Sequence, residues 1–273
     1  MLHQSKIAIL RSSLFSGLSM NSAQPFHNKT ILVTGASSGI GLASAQAFWA
    51  HGAKRVYITG RDANKLASAV SVLGQNAVGV VADVADLAQI EQLKTTIAEH
   101  GDTLDVIFAN AGVAHNNSLG TTHETSFNSI FDTNVRGVFF TVQTLLPLLN
   151  HGGNIVLNAS VAAQKGMPNL SLYSASKAAV RSFARSWAND LKGRKIRVNA
   201  ISPGVTRTPI MENGLKMNDE QIAQFSAYLA DAAPAGRMAQ PDEIAAAVLF
   251  LASAAASYVN GIELSADGGL TQI

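Results

Sequence analysis

Two residues whose side chains could move a proton, Tyr173 and Lys177, lie four positions apart in the sequence. The hydrophobic spacing predicts a helix that begins at Tyr173 and extends to about Lys192, and residues four apart on a helix share a face. The Lys177 ammonium would then lie near the phenol and favour its ionisation, for which the pKa is ordinarily about 10. The pair could therefore exchange a proton near neutral pH, although an isolated Tyr-x-x-x-Lys pattern also fits an ordinary surface pair.

Three further polar groups could belong to the same site. Ser160 directly follows an apolar, strand-like run, and its hydroxyl could bond a substrate carbonyl. The triplet Asn110-Ala111-Gly112 ends an earlier run, with small residues where a cofactor would pass closely. Asn134 interrupts an apolar helical stripe, where a buried amide needs hydrogen-bonding partners. A purely structural amide is the alternative for that residue.

A glycine-rich turn at residues 34–41 follows the first predicted strand and opens a helix that reaches about His51. Glycines let a backbone turn sharply, and a helix N-terminus offers N–H groups and a positive dipole end to a pyrophosphate. The spacing is G-x-x-x-G-x-G rather than the general G-x-G-x-x-G. The residues expected to hold a dinucleotide here are Gly35, Ser37, Ser38, Gly39, Ile40 and Gly41.

The same turn contains a competing motif. Residues 35–39 match G-x-S-x-G, the nucleophile elbow of α/β-hydrolases, with Ser37 as the nucleophile. That chemistry needs a histidine late in the chain, whereas the last histidine is His151. A serine hydrolase is therefore only a remote alternative.

The second predicted strand ends in Gly60, Arg61 and Asp62. An NAD site usually carries an acidic residue at this point for the ribose hydroxyl, and Gly60 takes its place. The Arg61 guanidinium would suit a 2′-phosphate, so we predict NADP as the cofactor. NAD stays possible because Asp62 is adjacent, although Asp62 could instead be the N-cap of the next helix.

The elements that must position these residues alternate regularly. Runs rich in β-branched residues predict strands at 30–34, 55–59, 77–82, 104–109, 154–159 and 196–201 and another near Ile262, separated by stretches with helical spacing. This order predicts an α/β fold, a doubly wound, Rossmann-like parallel sheet with helices on both faces. We expect one catalytic domain over residues 25–273, with the motifs at the carboxyl ends of the strands.

Two segments depart from this alternation. Residues 209–233 predict either a small helical lid over a substrate or a helical pair that completes the core. Residues 1–24 are Ser-rich and free of acidic side chains. We expect a disordered arm there, or an over-long start with Met20 as the natural first residue, in preference to a transit peptide.

Composition excludes several classes of function. The chain contains no cysteine, which removes disulfides, thiolate metal sites and cysteine nucleophiles, and we expect no metal. A net charge of +2 gives no reason to expect a nucleic-acid partner. No run approaches the ~18 apolar residues of a membrane span, and we expect a cytoplasmic protein that acts on a small molecule.

Together, the motifs resemble those of the short-chain dehydrogenase/reductases, in the branch with TGxxxGIG and YxxxK that includes 3-oxoacyl reductases. The resemblance covers about residues 28–270. It implies hydride transfer between NADP(H) and an alcohol or ketone, with Tyr173 as general acid or base. Lys177 would lower the pKa of Tyr173 and bind the nicotinamide ribose, Ser160 would position the carbonyl, and Asn134 would anchor a water.

The resemblance also implies further cofactor contacts and an assembly. Asp83 would touch the adenine, and Thr208, in the segment that begins Pro203-Gly204 and includes Thr206, would touch the nicotinamide amide. Members of this family are commonly tetramers, so we expect a homotetramer or dimer that packs the helices of Asn134 and Tyr173. A catalytically silent dinucleotide-binding sensor or scaffold is the alternative function, and the sequence fixes neither the substrate nor the direction of reaction.

Overall fold

Short runs of β-branched and aliphatic residues form a central sheet in the computed structural model, which describes residues 24–273. Seven strands of this part build it: β1 (Thr30–Val33), β2 (Arg55–Gly60), β3 (Ala77–Val81), β4 (Leu104–Ala109), β5 (Leu149–Asn158), β6 (Arg197–Pro203) and β7 (Glu263–Ala266). All neighbours pair in parallel, in the order β3-β2-β1-β4-β5-β6-β7.

Helices connect the strands because the intervening segments repeat their apolar residues at helical spacing. They are α1 (Gly39–Ala50), α2 (Ala63–Leu73), α3 (Leu87–Glu99), α4 (Glu124–Phe131), α5 (Val138–Leu145), α6 (Ser171–Asp190), α7 (Ile210–Asn213), α8 (Asp219–Ala232) and α9 (Pro241–Ala252). A π-helical turn, Asp132–Gly137, joins α4 to α5.

The helices cover both faces of the sheet with apolar side chains. On one face, Phe48 of α1 and Val248 of α9 belong to a buried cluster with Phe108 of β4. On the other face, Ile97 of α3 and Val180 of α6 belong to a second cluster. The sheet is thus buried on both sides, which confirms the predicted doubly wound, Rossmann-like α/β fold.

Strand order reverses between β1 and β4, which are adjacent in the sheet although β2 and β3 lie between them in the chain. Chain connections leave in opposite directions at such a switch point, so a crevice opens beyond the carboxyl ends of the strands. The turn after β1 and the segment after β4 border this crevice.

The element boundaries differ from those predicted in two informative places. β5 begins at Leu149 rather than residue 154, because its first half contains the polar, exposed His151 and Gly152 and does not resemble an apolar run. The helix that carries Tyr173 begins at Ser171 and ends at Asp190, before the predicted end at Lys192.

Residues 209–233 form the short helix α7 and the longer helix α8. Their apolar residues pack in a third, small cluster, in which Met211, Ile222 and Leu229 meet Met238 and Leu270. The segment is therefore a helical pair with a core of its own, and its closure over a substrate stays a prediction.

The arm predicted for residues 1–24 lies outside the described residues except for Gln24. From that residue onward, none of the helices combines the length and the apolar content needed to cross a bilayer. Within the same part of the chain, no group of three or more His, Asp or Glu side chains is arranged to hold a metal ion.

Candidate active site

The glycine-rich turn leads from the end of β1 into α1. Gly35 and Gly39 have φ angles of +62° and +57°, in the left-handed region that glycine adopts without strain. A Cβ on Gly35 would lie 2.7 Å from the Cα of Ala111, so the turn packs directly on the segment after β4. At the start of α1, the Ser38 side chain makes no capping hydrogen bond. The first N–H groups of this helix are therefore free of a side-chain acceptor and suit an anion.

Asn110, directly after β4, is hydrogen-bonded to the glycine-rich turn. Its Nδ2 donates to the carbonyl oxygens of Thr34, at 3.0 Å, and Gly35, at 3.1 Å. The Thr34 hydroxyl in turn accepts from the backbone N–H groups of Asn110 and Ala111, each at 3.0 Å. Four hydrogen bonds thus join the two loops on either side of the switch point.

β2 ends at Gly60, followed by Arg61 and Asp62, and the prediction of NADP depends on these three residues. A Cβ on Gly60 would lie 3.2 Å from the Cβ and the Oγ of Ser37, so a larger residue at position 60 would crowd Ser37. Arg61 is exposed, and its guanidinium lies 3.9 Å from the Asp83 carboxylate. Asp62 is the N-cap of α2, where it accepts from the N–H groups of Asn64 and Lys65, as one of our two interpretations proposed.

Tyr173 and Lys177 lie one turn apart at the start of α6, near Ser160 at the end of β5. Lys177 is 4% exposed, and its Nζ lies 5.7 Å from the centroid of the Tyr173 ring. That nitrogen donates a 2.7 Å hydrogen bond to the backbone carbonyl of Asn158. The structure therefore brings the three expected side chains together and adds a backbone acceptor for the lysine.

Burial controls the ionisation of both groups. Desolvation lowers the pKa of Lys177 from 10.5 to about 8, because a buried ammonium loses its hydration. Burial raises the pKa of the Tyr173 phenol, and hydrogen bonding with the Ser160 hydroxyl opposes this effect. Burial and the Ser160 hydroxyl are thus the two influences on the Tyr173 pKa in this structure, and the lowering effect expected of the Lys177 ammonium stays a prediction.

Asn134 lies in the π-helical turn, a rare conformation that is frequent at functional sites. The side chain is fully buried; its Oδ1 accepts from Val113 N at 2.8 Å. Its Nδ2 donates to Val113 O, at 2.9 Å, and to Ser176 Oγ, at 3.0 Å. Both protons of the Asn134 amide are thus used in holding the loop after β4 against α6. A water bound at Asn134 would therefore have to donate a hydrogen bond to one of the oxygens of this residue.

The segment after β6 reaches the phosphate-binding turn. A Cβ on Gly39 would lie 3.3 Å from Cγ2 of the buried Thr208, which places Thr208 beside the N-terminus of α1. The Thr206 hydroxyl donates to Gly204 O at 3.1 Å. Gly204, directly after Pro203, packs tightly enough that a Cβ would lie 2.6 Å from the Cα of Asp267.

Three segments meet at the mouth of the crevice. After β4, Asn116 Nδ2 donates to Leu215 O at 3.0 Å, and a Cβ on Gly214 would lie 2.6 Å from Ala114 O. Asn117 N donates to Asn169 O at 2.7 Å. The segment after β4 is therefore tied both to the helical pair and to the loop between Ser160 and Tyr173.

Two positioning residues were missed from the sequence. Asn117 Nδ2 donates to Ser171 Oγ at 2.8 Å, and Asn117 Oδ1 accepts from Leu172 N at 3.2 Å, which fixes the first turn of α6. Asn158 Nδ2 donates to Asn110 Oδ1 at 2.8 Å. A polar residue directly after the apolar run of residues 155–157 was the available signal for Asn158, whereas nothing local marks Asn117.

The arrangement does not favour the hydrolase alternative. Ser37 lies beside Gly60, and no histidine of the described chain is hydrogen-bonded to it. His151 is exposed in the first half of β5, away from the carboxyl end where the glycine-rich turn lies. Among residues 24–273, Ser37 therefore has no histidine in place as the general base that a nucleophilic serine requires.

Comparison with known proteins agrees with this geometry. Residues 35–271 match the family model described as enoyl-(acyl carrier protein) reductase. An oxidoreductase of Sarocladium schorii is 39% identical over 261 residues, 93% of this chain and 100% of that protein. A versicolorin reductase of Emericella nidulans is 36% identical over 253 residues, 88% of this chain and 95% of that protein. The crystal structure of a short-chain type dehydrogenase/reductase from Mycobacterium marinum has a TM-score of 0.82 at 32% identity, over 90% of this chain and 96% of that one.

Proposed function

The chain belongs to the short-chain dehydrogenase/reductase family, and we propose that it uses NADP(H) to interconvert a ketone and an alcohol, with Tyr173 as the proton donor and acceptor. The observation that carries the proposal is the convergence of Ser160, Tyr173 and Lys177 at the carboxyl edge of the sheet. They lie next to a turn that fits a dinucleotide phosphate.

Several features support binding of a dinucleotide. Gly35 and Gly41 keep the turn free of side chains where it packs on Ala111 and Asn110, and the N-terminus of α1 presents backbone N–H groups. Thr208 stands beside that N-terminus. These residues would hold the pyrophosphate and the nicotinamide end, and Asp83 would face the adenine.

The preference for NADP over NAD rests on the end of β2. Position 60 is a glycine, so it offers no carboxylate to the free 2′-hydroxyl of an NAD ribose. A larger, acidic residue at this position would also crowd Ser37. The exposed Arg61 can turn its guanidinium toward a 2′-phosphate, where bidentate charge-assisted hydrogen bonds are strong.

The proton chemistry follows from the three side chains. When bound, the nicotinamide supplies the hydride in reduction and accepts it in oxidation. Ser160 would hold the substrate oxygen beside the phenol, and Tyr173 would give its proton to that oxygen as the carbonyl is reduced. The raised pKa of Tyr173 keeps the phenol protonated at neutral pH, as an acid for reduction must be. Lys177 would stabilise the phenolate that remains.

We propose reduction of a ketone with hydrophobic surface as the working direction. The Emericella nidulans relative is named a reductase, and so is the family model. Met167, Pro168 and Leu170 lie at least partly exposed in the loop between Ser160 and Tyr173, where they would border a substrate.

A homo-oligomer is also proposed, formed through the outer face of the π-turn, α5 and α6. The ring of Phe139 packs in edge-to-face contact with the rings of Phe140, Phe183 and Trp187. A shallow groove there is lined by the half-buried Phe131, Val135, Phe139, Phe140 and Phe183, together with Asp132 and Arg136. Apolar patches at a protein surface favour association.

The direct test is a screen of carbonyl compounds for consumption of NADPH and NADH. Turnover with NADPH, lost in Tyr173→Phe, is the expected result. Cofactor binding without turnover of any compound would favour the catalytically silent sensor. Failure to bind either nucleotide would reject both.

A further inference from the structure

Asn158, the last residue of β5, joins two groups that the mechanism uses separately. Its backbone carbonyl accepts the hydrogen bond from Lys177 Nζ at 2.7 Å. Its side chain points to the neighbouring strand, where Nδ2 donates to Asn110 Oδ1 at 2.8 Å. The parallel register pairs Ala109 of β4 with Leu157 of β5, so Asn110 and Asn158 are the next cross-strand neighbours.

Only one of the two possible orientations of the Asn110 side-chain amide satisfies its hydrogen bonds. Its Nδ2 faces the carbonyl oxygens of Thr34 and Gly35, which can only accept, so the NH2 group must point toward them. A flipped amide would set Oδ1 against both carbonyls. Asn110 Oδ1 must then face β5, where Asn158 Nδ2 supplies the donor.

The glycine-rich turn is packed tightly around this amide. A Cβ on Gly41 would lie 2.5 Å from Asn110 Nδ2 and would also collide with Gly35 O. Asn110 is itself only 9% exposed. A displacement of the amide would therefore move the turn that is to hold the pyrophosphate.

The hydrogen bond to Asn110 is the main interaction that the polar side chain of Asn158 makes. Its Oδ1 is buried and accepts no hydrogen bond from the described residues, so its bond to Asn110 is its one polar contact in that part of the chain. An unpaired buried acceptor is costly, and the three residues before Asn158 in β5, Ile155, Val156 and Leu157, are apolar. The bond to Asn110 gives a reason for an asparagine at this position.

We propose that Asn158 is a positioning residue that fixes the Asn110 amide and thereby shapes the glycine-rich turn for its dinucleotide. The inference rests on the proposed function insofar as the ligand of the turn is a dinucleotide. Because Lys177 is held by the backbone carbonyl of residue 158, a side-chain substitution leaves that anchor in place. Asn158 therefore affects cofactor affinity and not proton transfer.

The test is calorimetric titration of the whole protein with NADPH, without substrate. Asn158→Leu keeps the size of the side chain and removes the donor, so Asn110 Oδ1 loses its partner. We expect the Kd to rise about tenfold, the scale of one unsatisfied buried acceptor. At saturating cofactor, kcat and its pH profile stay as in the wild type.

Asn154→Leu is the matched control. Asn154 lies on the same strand and face, four residues earlier, and its Oδ1 also lacks a hydrogen bond from the described residues. Its strand partners are Val106 and Arg197, away from the turn. We expect its Kd for NADPH to stay unchanged, whereas a purely structural role for polar residues in β5 would give both variants the same effect.

A double-mutant cycle tests whether Asn158 acts through Asn110. If it does, Asn110→Leu/Asn158→Leu binds NADPH no more weakly than Asn110→Leu alone. An unchanged Kd in Asn158→Leu, or additive effects in the double variant, would overturn the proposal. Should Asn158→Leu lack the wild-type circular dichroism spectrum, Asn158→Ala answers the same question. A wild type that binds neither NADPH nor NADH would instead reject the proposed function, and this inference with it.

Discussion

The ammonium nitrogen of Lys177 lies 5.7 Å from the centroid of the Tyr173 ring and donates its hydrogen bond to the backbone carbonyl of Asn158. The lysine is thus held by the strand rather than by the phenol. Burial raises the pKa of the phenol, and Ser160 is the side chain whose hydrogen bond opposes this rise. This division of roles leads to separate predictions for each side chain.

Removing the phenol should abolish proton transfer without removing the cofactor site. We expect Tyr173→Phe to lower kcat by roughly 10²–10⁴-fold, the usual contribution of general acid–base catalysis, with the Kd for NADPH within a few-fold of wild type. Tyr258→Phe is the control, since Tyr258 is fully exposed. Steady-state kinetics with the best substrate of the screen measures both, and full activity in Tyr173→Phe would reject the assignment.

Lys177 should cost stability at neutral pH. Its pKa falls from 10.5 to about 8 on folding, so between these values the unfolded chain binds more protons and stability rises with pH. Below pH 8 the penalty is fully present. We expect Lys177→Met to raise the free energy of unfolding by roughly 1–3 kcal/mol at pH 7, after allowing for the lost hydrogen bond to Asn158. The gain should shrink from pH 8 toward pH 10.5.

Urea denaturation across this pH range measures the effect of Lys177→Met. Lys94→Met is the control, because Lys94 lies on the surface of α3 beside Glu91, and it should show no such pH-dependent gain. A Lys177→Met variant that is less stable than the wild type at pH 7 would contradict a dominant cost of burial.

Arg61 should discriminate between the two nucleotides. We expect Arg61→Ala to weaken NADPH binding about tenfold or more, the scale of hydrogen bonds to a charged group, and to change NADH binding little. Calorimetric titration with each nucleotide measures the ratio of affinities, with Lys94→Ala, at the half-buried surface of α3, as control. Equal weakening for both nucleotides would place Arg61 outside the 2′-phosphate site.

Asn134 should stabilise the fold as well as the site. The side chain is fully buried and makes three hydrogen bonds, and we expect Asn134→Ala to lower the free energy of unfolding by about 2–4 kcal/mol. Ser176→Ala removes one of these three bonds and should cost less. The two variants are compared by urea denaturation, and an Asn134→Ala variant as stable as Ser176→Ala would show that the clamp on Val113 contributes little.

The proposed association can be tested by placing a charge in the aromatic groove. A carboxylate is costly to bury in an interface even beside the Arg136 that lines this groove, so we expect Phe139→Asp to be monomeric by light scattering where the wild type is oligomeric. Tyr258→Asp serves as the exposed control. A wild type that is monomeric throughout would reject the oligomer.

Much of the architecture could be predicted from the sequence because its strands and helices depend on residue types and spacing within short segments. Runs of β-branched residues give strands, and apolar residues at helical spacing give helices, each independent of distant contacts. The alternation of the two led directly to a parallel sheet with its motifs at one edge. Asp62 as an N-cap was also readable, since capping involves only the next few residues.

The polar first half of β5 and the half-buried edge strand β7 were harder to predict. Gly152 and His151 carry no strand signal, and β5 reaches back past them to Leu149, which pairs with Leu104 of β4 on the far side of an irregularity in the register. In such places the neighbouring strand, rather than the local sequence, decides the structure.

The sequence by itself determined the fold and which candidate residues lie at one edge of the sheet, because spacing along a helix or after a strand fixes which side chains share that edge. Only the tertiary structure decided what those side chains touch. The partners of Asn134, the bond between Asn158 and Asn110, and the rise in the pKa of Tyr173 depend on cross-strand register and burial. Both arise from contacts between residues tens of positions apart, which no local pattern records.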